Sequence, residues 1–157
     1  MCGIFGIAGT EEGIASEIVI GLNDLQHRGE QACGVAISNG KKLRYHCGEG
    51  LVAEVFNEAR RQKLFGKLAG NLGIGHTLYS TVGRGGERKQ TRTFQPLIGD
   101  FHGKPFALGH NGNLIDLNQL REEAEAAGYI FNSKVSDTEV VVALLSTSKE
   151  TDFIKFI

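Results

Sequence analysis

Strong charge, long apolar runs and paired cysteines are all missing from this sequence. Lysine and arginine number 17 against 18 aspartate and glutamate, a net charge of −1. No bulk field draws the chain to nucleic acid or to an anionic membrane, so neither partner is expected. No apolar run reaches the roughly 18 residues that a membrane span needs. The first residues show no basic segment leading into an apolar one, so no secretory signal is read there and the cytoplasm is the expected location. The three cysteines, Cys2, Cys33 and Cys47, form no C-x-x-C unit. Zinc and iron–sulfur sites are therefore not expected, and a reducing compartment with one free reactive thiol fits better. Proline is scarce at 2 residues while glycine reaches 22, which suggests tight turns around a site rather than disorder. There is no internal repeat and no low-complexity segment.

What is there is 157 residues, 41% hydrophobic and 22% charged, enough for one domain with a core of its own. Residues 2–9 read as a short buried strand. Residues 12–26 read as a helix, with Ile14, Ile18, Leu22 and Leu25 at helical spacing. Two β-like runs, 33–38 and 42–47, flank Asn39-Gly40, a strong hairpin signal. Residues 51–69 look mostly helical, Leu72 to Thr77 forms a strand, and 83–93 is a loop rich in glycine and charge. A strand over 105–110 ends in Asn111-Gly112-Asn113, and a helix over about 116–127 stops at Gly128. Ser136-Asp137-Thr138-Glu139 matches the S-x-x-E capping box and opens a further helix through Val140 to Leu145. Without regular βαβ alternation, the pattern predicts α+β layers. The last residues, Asp152 to Ile157, open an amphipathic pattern and stop within it, so a fragment of a longer protein is expected.

Cys2 carries the chemistry of greatest interest. A small residue after Met1 permits removal of that methionine, which would put a thiol and a free α-amine on one residue. The amine has an ordinary pKa of about 7.7–8.0, so a neutral fraction exists near pH 7 to take the thiol proton. N-terminal nucleophiles pair nucleophile and base in this way. A small apolar residue at a strand start would satisfy the same few positions.

Five segments stand together: Cys2-Gly3-Ile4, His27-Arg28-Gly29, Gly75 to Thr81 (GHTLYST), His110-Asn111-Gly112-Asn113-Leu114, and Ser136 to Glu139. In order and spacing they resemble the class II glutamine amidotransferases, over nearly the whole chain. Leu25 to Gly29 and Gln95-Pro96-Leu97 are similar to the amidophosphoribosyltransferase family in particular. Glucosamine-6-phosphate synthase and asparagine synthetase are similar at Cys2 and less so around His27.

The resemblance implies a four-layer αββα sandwich of the N-terminal nucleophile hydrolase fold, C-terminally incomplete, with residues 1–157 as the glutaminase domain. It implies hydrolysis of glutamine to glutamate and ammonia through a γ-glutamyl thioester on Cys2. The ammonia would go to a phosphoribosyl pyrophosphate acceptor in purine synthesis. That acceptor is a C-terminal phosphoribosyltransferase domain, or a separate subunit, absent from this chain. No metal or organic cofactor is implied, and a homo-oligomer is compatible. Asn111 and Gly112 match the oxyanion hole, although an isolated Asn-Gly reads as a plain turn. Asp137 matches the acceptor for the α-ammonium of glutamine, although an acid in a first helical turn also complements the helix dipole. Arg28 would orient the loop over Cys2 and favour its thiolate; a surface ion pair is the alternative. Tyr79 and Thr81 match positions lining the glutamine pocket, while His76 and His110 read as structural histidines.

The chain departs from the family at Leu78, where the resemblance implies an arginine that pairs with the α-carboxylate of glutamine. Either another cation substitutes, with Arg84, Arg88, Lys89 and Arg92 as candidates, or glutamine binds poorly. Two rival readings follow: another class II enzyme with a different acceptor, or a non-catalytic regulatory module that has lost glutamine recognition.

Overall fold

The computed structural model describes residues 2–10, 13–79, 94–131 and 135–156. Its centre is a four-stranded antiparallel sheet made of β1 (Gly3–Ala8), β2 (Ala32–Ser38), β3 (Leu43–Glu49) and β4 (Leu72–Leu78), in the order β1-β4-β2-β3. Helix α1 (Ala15–Asp24) covers one face of this sheet. Ile14, just before it, and its Ile18 and Leu22 are buried with Val35 and Ile37 of β2, as the helical spacing of those residues predicts. Glycines set how close the helix can come. A Cβ at Gly75 would lie 2.6 Å from Ile18 Cγ2 and 2.8 Å from Leu22 Cδ1, so β4 is bare where α1 presses on it. Helices α2 (Val52–Val55) and α3 (Glu58–Lys67) fill the predicted helical stretch. Val52, Val55 and Phe56 join the same core.

The second sheet is a hairpin, β5 (Leu97–Phe101) with β6 (Lys104–Leu108). Helix α5 (Asp137–Thr147) packs on β5, with α4 (Leu117–Ala126) beside it. A Cβ at Gly99 would meet Val142 of α5 at 2.9 Å. Strand β6 meets β3 across the space between the sheets. The layers therefore run helix, sheet, sheet, helix. A short helix α6 (Phe153–Phe156) rests on the end of β5, with the Phe153 and Phe101 rings 5.6 Å apart. Among the described residues no helix is long and apolar enough to cross a membrane.

Several predicted elements differ in detail. The β2–β3 hairpin forms, but its loop is four residues, because Ser38 pairs with Leu43. Asn39 stabilises that loop through Oδ1, which accepts from Lys41 N–H at 3.1 Å and Lys42 N–H at 2.9 Å. The strand expected over 105–110 ends at Leu108, and its partner β5 is an element the sequence pattern does not reveal. The two join through His102 and Gly103, both at positive φ (51° and 79°). This is a two-residue turn of the mirror-image kind that suits strand twist. A histidine rarely adopts that conformation, so His-Gly carries no turn signal. Helix α4 stops as predicted: Gly128 adopts φ 97°. Its N–H reaches Glu125 O at 3.0 Å, while Tyr129 N–H reaches Ala124 O at 2.9 Å, a Schellman closure.

Candidate active site

At the Leu78 end of β4 the first strand brings Cys2 into the fold. Gly3 pairs with Thr77, and Gly3 N–H donates to Thr77 Oγ1 at 3.2 Å. A Cβ at Gly3 would stand 2.7 Å from that oxygen and 2.9 Å from Leu25 Cβ. Only glycine lets the chain start press against the end of α1. Side chains alternate along strands, and Gly3 faces α1. Cys2 and Ile4 therefore face the opposite way, toward segment 109–112, where Ile4 and His76 both lie 3.9 Å from a Cβ placed on Gly109.

Two groups from distant parts of the chain hold the half-buried Cys2. Asn111 Oδ1 accepts from Cys2 N–H at 3.2 Å. Arg28 Nε–H donates to the Cys2 carbonyl at 3.1 Å. Arg28 ends a 3-10 turn, Gln26–Arg28, that directly follows α1. The Gln26 side chain pins this turn. Its amide donates to Gly29 O at 2.5 Å, and its Oε1 accepts from Val52 N–H at 2.7 Å. Gly29 lies flat on β4, where a Cβ would stand 2.6 Å from the Leu78 carbonyl carbon. The glycine of His27-Arg28-Gly29 is thus required by close backbone contact, not by an unusual φ.

Segment 109–114 crosses above Cys2 without regular structure, so side chains satisfy its backbone. Gln95 Oε1 accepts from His110 N–H at 2.6 Å. Asp137 Oδ2 accepts from Leu114 N–H at 2.8 Å. Asp137 sits in the first turn of α5, and Ser136 caps that helix by accepting from Glu139 N–H at 3.2 Å. A carboxylate accepts several donors, so the bond to Leu114 places Asp137 beside the loop without exhausting it. Asn111 and Gly112 are exposed, open to a ligand.

His76 is fully buried on β4. Its Nε2 lies 3.2 Å from His110 O, while its Nδ1 has no partner among the described residues. Burial pushes its pKa down from 6.5 to about 4; the neighbouring His110 adds to the depression and the bond to the His110 carbonyl opposes it. The unfolded chain therefore binds the extra proton first as pH falls. Stability from this group is complete above pH 6.5 and is lost toward pH 4, by roughly 3 kcal/mol. Urea denaturation at pH 7 and pH 4.5 checks this. His76→Gln flattens the acid loss, whereas an unchanged loss in that variant would assign it elsewhere.

The structure thus brings Cys2, Arg28, Asn111, Gly112 and Asp137 to one end of the sheets. Tyr79 stands just after β4, half exposed at 51%. Thr81 and the basic candidates Arg84, Arg88, Lys89 and Arg92 lie outside the described residues. Sequence reasoning overlooked Gln26 and Gln95 as parts of the site. Each is an amide in a loop, and only the fold shows what it holds. Cys33 and Cys47 are not reactive alternatives, since burial pushes their thiols up to about 12 and about 11. A cavity of about 290 Å3 between the sheets lies at the far end of β4, against Leu72, Leu43 and Phe106, and is separate from this site.

The fold agrees with comparisons to known proteins. Residues 87–157 match the family model of the glutamine amidotransferase domain. Amidophosphoribosyltransferase of Bacillus subtilis is 42% identical over 149 residues, covering 94% of this chain and 29% of that protein. The amidophosphoribosyltransferase of Methanothermobacter thermautotrophicus is 41% identical over 147 residues, covering 92% and 29%. Among solved structures, the allosteric regulatory enzyme of purine biosynthesis matches with a TM-score of 0.79 at 36% identity, covering 99% of this chain and 31% of the other. Glutamine phosphoribosylpyrophosphate amidotransferase from B. subtilis, complexed with ADP and GMP, matches with a TM-score of 0.77 at 36% identity, covering 99% and 31%. The chain spans under a third of the length of these relatives. It has the N-terminal nucleophile hydrolase fold of these structures, and it is similar to the glutamine amidotransferase part of amidophosphoribosyltransferases.

Proposed function

We propose that this domain hydrolyses glutamine to glutamate and ammonia, with Cys2 as nucleophile, after removal of Met1. The observation that carries the reading is the placement of Cys2 N on Asn111 Oδ1 at 3.2 Å. Once Met1 is gone that nitrogen is the α-amine, next to its own thiol and held by the residue that the family uses for its oxyanion hole. The amine takes the Sγ proton as the sulfur attacks the amide carbon of glutamine. The carbonyl π electrons move to oxygen. With Asn111 Oδ1 turned to the amine, its Nδ2 and the Gly112 N–H are the donors for that oxygen. On collapse the C–N bond breaks, and the proton held by the amine leaves with nitrogen as ammonia. Water then attacks the thioester with the amine again as base, the C–S bond breaks, and glutamate departs with the thiol restored. Arg28 fixes the Cys2 carbonyl. Asp137 takes the α-ammonium, and Tyr79 lines the pocket. The ammonia passes to a phosphoribosyl pyrophosphate acceptor in purine synthesis, on a C-terminal domain or a separate subunit, in the cytoplasm. Assay of glutamate and ammonia release by the Met1-processed chain tests the hydrolysis. A processed, folded chain that releases neither would overturn it.

Leu78 favours a second reading. Extending the β1–β4 register by one residue from the Gly3–Thr77 pair places Leu78 opposite Cys2. An apolar side chain there cannot meet the α-carboxylate. A bond to a charged group is worth about 1.5–3 kcal/mol, roughly 10- to 150-fold in affinity. Leu78→Arg therefore lowers the KM for glutamine at least about tenfold if that clamp is what the chain lacks. An unchanged or raised KM would contradict the missing clamp and favour a different cation.

A further inference from the structure

We propose that His76 and Gln95 are positioning residues for the oxyanion hole, acting as a two-sided clamp on the backbone of His110. The inference rests on the glutaminase reading of the site. His110 immediately precedes Asn111, and both of its main-chain polar groups are taken by side chains from elsewhere. Gln95 Oε1 accepts from its N–H at 2.6 Å, and His76 Nε2 meets its carbonyl at 3.2 Å. A carbonyl only accepts, so His76 carries its proton on Nε2. The clamps arise on separate supports, one on the central sheet and one in the segment leading into β5. Both are enclosed, His76 at 0% and Gln95 at 8% exposure. A third contact, Thr138 Oγ1 at 3.5 Å from His110 Nδ1, ties the same residue to α5.

The cost of this arrangement points to a task beyond packing. The tautomer that donates to His110 leaves Nδ1 as a buried lone pair with no partner among the described residues. An apolar residue would fill the space without that loss, and a buried polar atom without a partner calls for an explanation. What His76 supplies is a fixed donor under a loop that has no ladder of its own. Asn111 and Gly112 follow directly, and donors to an oxyanion work only when held in place.

Two substitutions separate the donor from the ring. His76→Phe keeps the ring and loses the donor, whereas His76→Gln restores an N–H at similar reach. With both proteins shown to be folded by circular dichroism, kcat and KM for glutamine hydrolysis are measured. The rate of Cys2 alkylation by iodoacetamide, which forms no oxyanion, is measured beside them. His76→Phe lowers kcat roughly 10- to 100-fold, leaves KM within about twofold and leaves alkylation unchanged, and His76→Gln recovers most of the loss. Wild-type kcat in His76→Phe, or a glutamine variant no better than phenylalanine, overturns the clamp. If His76→Phe does not fold, Gln95→Leu against Gln95→Glu decides it: kcat falls in the first and recovers in the second, which keeps an oxygen acceptor. Equal kcat in that pair overturns the proposal. A wild-type chain without hydrolysis would instead bring down the glutaminase reading, so the two failures are distinct.

Discussion

Cys2→Ser ends glutamine hydrolysis while glutamine still binds. The hydroxyl of serine fits the same space, so the contacts of the Cys2 backbone persist: Asn111 Oδ1 on its N–H and Arg28 on its carbonyl. What goes is the sulfur nucleophile. A thiol is acidic enough for an α-amine to take its proton at small cost, whereas the far less acidic alcohol gives it up at much greater cost in a site built for sulfur. Removing the nucleophile of an acyl-transfer enzyme lowers kcat by several powers of ten, and roughly 10⁴-fold or more is expected here. Calorimetric titration with glutamine checks that binding is retained, and ammonia release checks the rate. Residual turnover within about tenfold of wild type would mean that Cys2 is not the nucleophile.

Asn111→Asp separates two functions of one side chain. The asparagine presents Oδ1 to Cys2 N at 3.2 Å, and aspartate keeps an oxygen there. The Nδ2 donor is replaced by a second oxygen carrying negative charge, aimed where the oxyanion develops. Loss of one such donor costs about 10²–10³ in kcat, and like charge adds to it, so a fall of at least about 10²-fold is expected. Iodoacetamide should still alkylate Cys2, because that reaction needs no oxyanion. A variant that retains wild-type kcat would remove Asn111 from the oxyanion hole. Loss of alkylation together with kcat would instead give it a role in holding the thiol.

Much of this arrangement was legible because local chemistry and global fold agree. Ile14, Ile18 and Leu22 gave α1 by spacing and are buried together in the core. Asn39-Gly40 marked a hairpin and Gly128 marked a helix stop, since φ of 80° and 97° are conformations that glycine adopts readily. Ser136 marked the start of α5 through a bond to Glu139 N–H that any short-range reading would place. Strand β5 was hidden because Gly99 and Asp100 interrupt its apolar residues, and because it turns at His102. Its glycine is explained only by the ring of Phe106 and the side chain of Val142 that crowd it.

The site divides in the same way. Cys2, Asn111, Gly112 and Asp137 stood out because their residue types announce chemistry. Gln26 and Gln95 did not, and His76 read only as a structural histidine, because each meets backbone groups that become neighbours only after folding: Gly29 and Val52 for the first, His110 for the others. Leu78 was visible as a departure from the family, and the register that sets it opposite Cys2 gives that departure a physical consequence.

The central claim is a processed Cys2 in a pocket that accepts a glutamine-like amino acid. Intact-mass spectrometry before and after incubation with 6-diazo-5-oxo-norleucine, followed by mapping of the modified residue, tests it most directly. The account predicts a mass lacking Met1 that gains a single adduct on Cys2. A processed chain that the glutamine mimic leaves untouched, while iodoacetamide still labels Cys2, would contradict it: the nucleophile would be present without the glutamine pocket.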